Sequence, residues 1–172
     1  MNKLIVLSGV PGSGKSYFSH TLKSIYRSHV YIVSSDELRK LITGDISNLK
    51  EDELVWKMFY SLAEVYSKDK DGVVVLDATN FNSEKRVKDT EHLKPLFDEV
   101  DLVCFTLDEE TTLTQNFQRE NPLDIKVMKQ FFKIYELPNE VDKAYFNHIV
   151  YVKSNNVAEA IEMLNIKIRN YW

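Results

Sequence analysis

A single cysteine in 172 residues leaves no partner for an internal disulfide, so no covalent staple holds this fold. Cys104 sits within Leu102-Val103-Cys104-Phe105, where a small buried hydrophobe is a simpler role than a nucleophile. Glycine and proline are sparse, at five and four, which argues against long flexible linkers. Cations do not dominate: 22 Lys and Arg against 26 Asp and Glu give a formal net charge of −4. A broad nonspecific DNA-binding surface needs clustered cations, so this balance argues against one, while leaving room for a local basic groove at a strand end. No apolar run approaches the roughly 20 residues of a membrane span. The run Leu4 to Leu7 is too short for the apolar core of a secretory signal, and a cytoplasmic location is expected. His20, His29, His92 and His148 show no metal-ligand spacing. No obligate protein partner is evident.

What is present is alternation. Leu4 to Leu7, Val30 to Val33, Val73 to Leu76, Leu102 to Leu107 and Ile149 to Val152 read as short buried strands. Between them, Lys15 to Arg27, Asp36 to Ile42, Glu51 to Lys68, Ser83 to Phe97, Glu109 to Glu120, Ile125 to Glu136 and Val157 to Tyr171 read as helices. Strands alternating with helices predict an α/β fold, a parallel sheet of about five strands covered on both faces. The length suits one domain spanning residues 1–172. Gly44 is placed to end a short helix, Pro122 to separate two helices, and Asn156 with Glu159 to open the last helix as a capping box.

Gly9-Val10-Pro11-Gly12-Ser13-Gly14-Lys15-Ser16 fits G-x-x-x-x-G-K-[ST], a phosphate-binding P-loop. It follows a predicted strand and opens a predicted helix, the context the motif requires. Its glycines permit backbone conformations that turn successive N–H groups inward around a phosphate, and the helix N-terminus adds positive potential. Gly9, Pro11, Gly12, Ser13, Gly14, Lys15 and Ser16 are therefore the candidate nucleotide-binding residues. Lys15 would reach the β- and γ-phosphates, and the Ser16 hydroxyl would ligate Mg²⁺.

Two acids follow apolar strands. In a parallel sheet, strand C-termini face the ligand, so Asp77 after Val73-Val74-Val75-Leu76 would stand near the metal. A turn or capping role is the alternative. Asp36, after Val30 to Val33, could accept the proton of an attacking hydroxyl. It equally fits a helix-opening acid stabilised by the macrodipole. No [NT]-K-x-D segment that would read guanine stands at a suitable strand end, which disfavours a GTPase switch.

Taken together, G-x-P-G-S-G-K-S, then Ser34-Ser35-Asp36-Glu37-Leu38-Arg39, then Asp77-Ala78-Thr79-Asn80 followed by basic Lys85-Arg86, resemble the P-loop kinases grouped around polynucleotide 5′-hydroxyl kinase. The resemblance runs from the first strand to the last. It implies a P-loop kinase-like fold with a helical lid over about residues 109–136, and transfer of the γ-phosphoryl group of ATP, with Mg²⁺, to a hydroxyl. It implies catalytic roles for Lys15, Asp36 and Arg119, with Arg119 the lid arginine in Gln115-Asn116-Phe117-Gln118-Arg119. Arg39, Thr79, Asn80 and Arg86 would face the acceptor. Ser16 and Asp77 would serve the metal. A polynucleotide 5′-hydroxyl is the acceptor the resemblance favours. Gln115 and Ser35 stand where nucleic-acid kinases of this group often carry cations, which keeps a nucleoside, sugar or antibiotic open as the acceptor.

Overall fold

The computed structural model of the protein describes residues 1–153 and 156–167. Five strands, β1 (Lys3–Ser8), β2 (Val30–Ser34), β3 (Val73–Asp77), β4 (Glu99–Phe105) and β5 (Ile149–Val152), form one sheet in the order β2-β3-β1-β4-β5. Every pairing is parallel. Around it lie α1 (Lys15–Tyr26), α2 (Ser35–Thr43), α3 (Asp52–Tyr66), α4 (Ser83–Thr90), α5 (Glu109–Phe117), α6 (Ile125–Ile134), α7 (Glu140–Tyr145) and α8 (Val157–Met163). This is the α/β parallel sheet expected from the alternating pattern.

The central strand shows why the sheet needs helices on both sides. Leu4 and Val6 point to one face, where they pack with Leu76, Leu102 and, from α3, Val55 and Phe59. Ile5 and Leu7 point to the other, against Val75, Val103, Phe18 and Leu22 of α1, and Ile161 of α8. Successive side chains of a strand alternate faces, so a strand apolar at every position is stable only when sandwiched. Each fully buried Leu, Val, Ile or Phe contributes roughly 1.5–3 kcal/mol.

Local signals set the helix ends. Ser34 Oγ accepts from Glu37 N at 3.3 Å and opens α2, and Gly44, at φ 78°, closes it through its N–H on Lys40 O at 2.8 Å. Four features depart from the sequence reading. First, β4 begins at Glu99, because Lys3 of β1 is buried between Glu99 and Asp101 at 2.8 and 2.7 Å and neutralises them inside the sheet. Second, α4 stops at Thr90, and Pro95 falls in a separate 3₁₀ turn, Lys94–Leu96, where its missing N–H is tolerated. Third, α7 was not anticipated; Asn139 caps it on Val141 N while Asp142 accepts from Asn139 N. Fourth, Asn156 does not cap α8 with its side chain: its Oδ1 accepts from Lys153 N and its amide donates to Tyr151 O. That helix ends at Met163, Asn165 turns left-handed at φ 46°, and the rest of the expected span, 168–171, lies outside the described residues. Among the described residues, no helix is long and apolar enough to cross a membrane.

Candidate functional site

The loop between β1 and α1 lies at the C-terminal edge of the central strand, where both neighbours, β3 and β4, also end. Gly9 N–H donates to Thr79 O at 3.0 Å, tying the loop to the turn after β3, and Ser13 N–H donates to Val10 O at 3.2 Å. Gly12 and Gly14 adopt φ of 81° and 95°, which side chains resist. Among the described residues Ser13 Oγ is buried with no hydrogen-bond partner, an orphan donor at the heart of the loop. The Lys15 ammonium folds back to donate to Gly9 O and Val10 O at 2.9 and 3.0 Å. Burial pushes its pKa down from the usual lysine value, against the opposing charges of Asp77 and Asp36.

Beside the loop, Ser16 Oγ donates to Asp77 Oδ2 at 2.9 Å. Burial raises the Asp77 carboxyl above the ordinary aspartate range, although the Lys15 charge and the Ser16 hydrogen bond pull it down. Ser34 pairs in register with Asp77, so the chain leaving β2 brings Asp36 to the same sheet edge. Asp36, in the first turn of α2, is about half exposed, and its Oδ2 stands 3.7 Å from an Arg119 guanidinium nitrogen. Ser16, Asp36, Asp77 and Arg119 line one cleft of about 200 Å³. The structure thus brings Lys15, Ser16, Asp36, Asp77 and Arg119 into one neighbourhood, with acid and cation facing each other beside a phosphate loop.

A protein family described as AAA domain matches residues 4–138, more than half of the chain. The chain belongs to the AAA domain family. Among solved structures this AAA domain protein is similar to a fungal RNA kinase, at 19% identity and a TM-score of 0.69, covering 95% of this chain and 83% of that one. It is similar to Kti12 of Chaetomium thermophilum in complex with ADP-AlF3, at 15% identity and a TM-score of 0.69, covering 97% and 100%. A gluconokinase from Sinorhizobium meliloti shares 20% identity, with a TM-score of 0.60 and coverage of 93% and 87%. At these identities the likeness is one of fold, that of the P-loop kinases. No curated protein matches the chain by sequence.

Not every expected site residue faces the cleft of this AAA domain. Arg86 is fully buried, with Nε and Nη2 bonded to Asp142 Oδ1 and Oδ2 at 2.8 and 2.9 Å. Its Nη1 donates to Ser8 Oγ, Asn80 O and Glu136 O, so every nitrogen of the guanidinium is engaged inside the protein. Asn80, at φ 44°, turns its side chain inward to donate to Leu7 O at 2.7 Å. Thr79 is partly exposed and its carbonyl serves the loop through Gly9. Arg39 is buried and is not among the cleft-lining residues; it bonds Asp52 Oδ1 at 2.6 Å and approaches Asp36 Oδ1 at 3.4 Å. It stands behind the candidate acid.

Lys40 and His20 line the cleft and were missed from the sequence, as were Glu37 and Glu120. A helical wheel holds the signal. Lys40 lies four residues after Asp36 on α2, and His20 four after Ser16 on α1, so each shares a face with a site residue. For a divalent cation the residues present fit Mg²⁺: the paired Ser16 hydroxyl and Asp77 carboxylate are hard oxygen donors beside a phosphate loop, and Mg²⁺ takes few protein ligands alongside phosphate oxygens.

Proposed function

We propose that this protein is an ATP-dependent kinase that transfers the γ-phosphoryl group to a hydroxyl. The chain acts as one kinase domain, with residues 109–136 as its lid. The observation that carries the reading is the stance of Asp36 opposite Arg119, 3.7 Å apart, in a cleft shared with Ser16 and Asp77. The loop amides, Ser13 and Lys15 grip the nucleotide's phosphates. Mg²⁺, held through Ser16 and Asp77, supplies positive charge to the phosphate oxygens when bound. Asp36 accepts the acceptor's hydroxyl proton as that oxygen bonds to the γ-phosphorus and the bond to the β-phosphate oxygen breaks. Arg119 balances the charge on the transferring group. Little covalent work falls to the protein; positioning and electrostatics carry the rate.

For the acceptor, the first reading is a polynucleotide 5′-hydroxyl. It is supported by the motif set and by fold likeness to an RNA kinase, with Lys40 and Arg119 as cations in the cleft. A specific observation favours a second reading, a small hydroxyl compound. The guanidinium groups of Arg39 and Arg86 are committed to carboxylates, and Glu37 and Glu120 add negative charge to the cleft. The experiment offers γ-labelled ATP and Mg²⁺ with a 5′-hydroxyl oligonucleotide and, separately, a panel of nucleosides and sugars. Label on the oligonucleotide supports the first reading, and label on a small compound alone supports the second. ATP turnover with no labelled acceptor contradicts both.

A further inference from the structure

Arg119 is held in place by a side chain that never reaches the cleft. Asn116, in the last turn of α5, is fully buried. Its amide Nδ2 donates to Leu123 O at 2.9 Å, and its Oδ1 accepts from Leu123 N–H at 3.1 Å. Both backbone groups of a single residue are thus satisfied by one side chain, closing residues 117–122 into a loop. Arg119 lies within that loop, and its own N–H donates to Asn116 O at 3.1 Å. Only a carboxamide offers the donor and acceptor this bridge needs; Asp lacks the donor and Leu lacks both.

The other side of Asn116 meets the phosphate loop. A Cβ added to Gly12 would lie 2.9 Å from Thr112 O and 3.2 Å from both the Cβ and the backbone N of Asn116. The loop therefore packs on α5 with no spare space, at the residue that staples the arginine loop. Interiors packed this closely transmit displacement.

We propose that Asn116 is a positioning residue that fixes Arg119 opposite Asp36 and registers it against the phosphate loop. This rests on the kinase reading above. Binding of the nucleotide does not need the staple; the rate of transfer does. Phosphoryl transfer depends on alignment of the reacting groups, and a misplacement of about 1 Å can cost about 100-fold in rate.

The test compares wild type, Asn116→Ala, Arg119→Ala and the double variant. It measures phosphoryl transfer from γ-labelled ATP, or Mg²⁺-dependent ATP hydrolysis, and the affinity for a non-hydrolysable ATP analogue. Loss of the arginine is expected to slow transfer about 1,000-fold. Loss of the staple is expected to slow it roughly 100-fold, with analogue affinity retained. The double variant is expected to match Arg119→Ala alone, because a residue that acts through another adds nothing once that other is gone. Asn116→Asp, which keeps the acceptor and removes the donor, serves in the same comparison if the alanine variant does not fold. Losses that multiply, a lowered analogue affinity in Asn116→Ala, or a wild-type rate in that variant each overturn the inference while leaving the kinase reading intact. A wild type that neither labels an acceptor nor hydrolyses ATP overturns both.

Discussion

Arg86 and Asp142 meet in a two-bond ion pair, Nε to Oδ1 at 2.8 Å and Nη2 to Oδ2 at 2.9 Å, with neither side chain exposed to solvent. Through it α4 is bound to α7, and the third arm of the guanidinium reaches Ser8 at the root of the phosphate loop and Glu136 just past α6. An arginine expected to face the substrate instead joins the elements that carry the site.

Removing one partner of this pair leaves the other charge buried and uncompensated. Asp142→Asn and Arg86→Met are each expected to lower stability by about 3–5 kcal/mol, read by denaturant unfolding at neutral pH. Ordinary stability in either variant would show that water reaches the site.

The same pair sets an acid limit. Burial alone would raise the Asp142 carboxyl, but the Arg86 hydrogen bonds, the Asn139 amide and the Arg86 charge together hold it below the ordinary aspartate value. A carboxyl depressed in the folded state contributes stability that is present above its unfolded pKa, about 3.9, and lost as pH falls through the folded value. Wild type is therefore expected to lose stability steadily below about pH 4, and Asp142→Asn to show a flatter profile there. Equal slopes would remove Asp142 from the acid response.

Two loop glycines share a positive φ but differ in surroundings. A methyl group on Gly12 meets Thr112 O at 2.9 Å, whereas one on Gly14 meets nothing within 4 Å. Gly14→Ala is expected to cost only backbone strain, about 1–2 kcal/mol. Gly12→Ala adds a clash with α5 and is expected to be the more destabilising, by roughly a further 1–3 kcal/mol, in thermal unfolding without nucleotide. The reverse order would mean that α5 yields easily.

Glu99, Asp101 and His148 bring their ligand-type atoms within 4.8 Å, a grouping that could suggest a metal. The Lys3 ammonium already lies between the carboxylates and also donates to Leu164 O at 2.6 Å. Zn²⁺ is accordingly expected not to raise the unfolding temperature of wild type. Lys3→Met is expected to lose about 3–5 kcal/mol by removing the ammonium from the buried Asp101, which keeps only its contact with His148 Nδ1. A zinc-dependent rise in wild type would show that the ammonium is displaceable.

Much of the fold was legible because its information is local. Strands such as Val73–Leu76 are apolar at every position, which only a doubly covered parallel sheet satisfies, and the edge positions of Asp36 and Asp77 follow from that sheet. What escaped depends on partners distant in sequence. Arg86 reads as a cation facing the acceptor until Asp142, 56 residues on, is known to meet it. Glu99 and Asp101 read as loop residues until Lys3 is placed beside them on the neighbouring strand. The short α7 is too brief for periodicity to register, and its capping acid is an Asp where a Glu or Gln is the stronger signal. Asn116 carries no sequence signal of its own, and its two bonds to Leu123 exist only because that residue folds back on it.

Asp36 is proposed as the base for transfer to a hydroxyl, and the Asp36→Asn variant tests that role. The measurement is γ-phosphoryl transfer beside equilibrium binding of ATP. Transfer is expected to fall by about 100-fold or more while ATP affinity stays near wild type. Transfer at the wild-type rate in Asp36→Asn would contradict it.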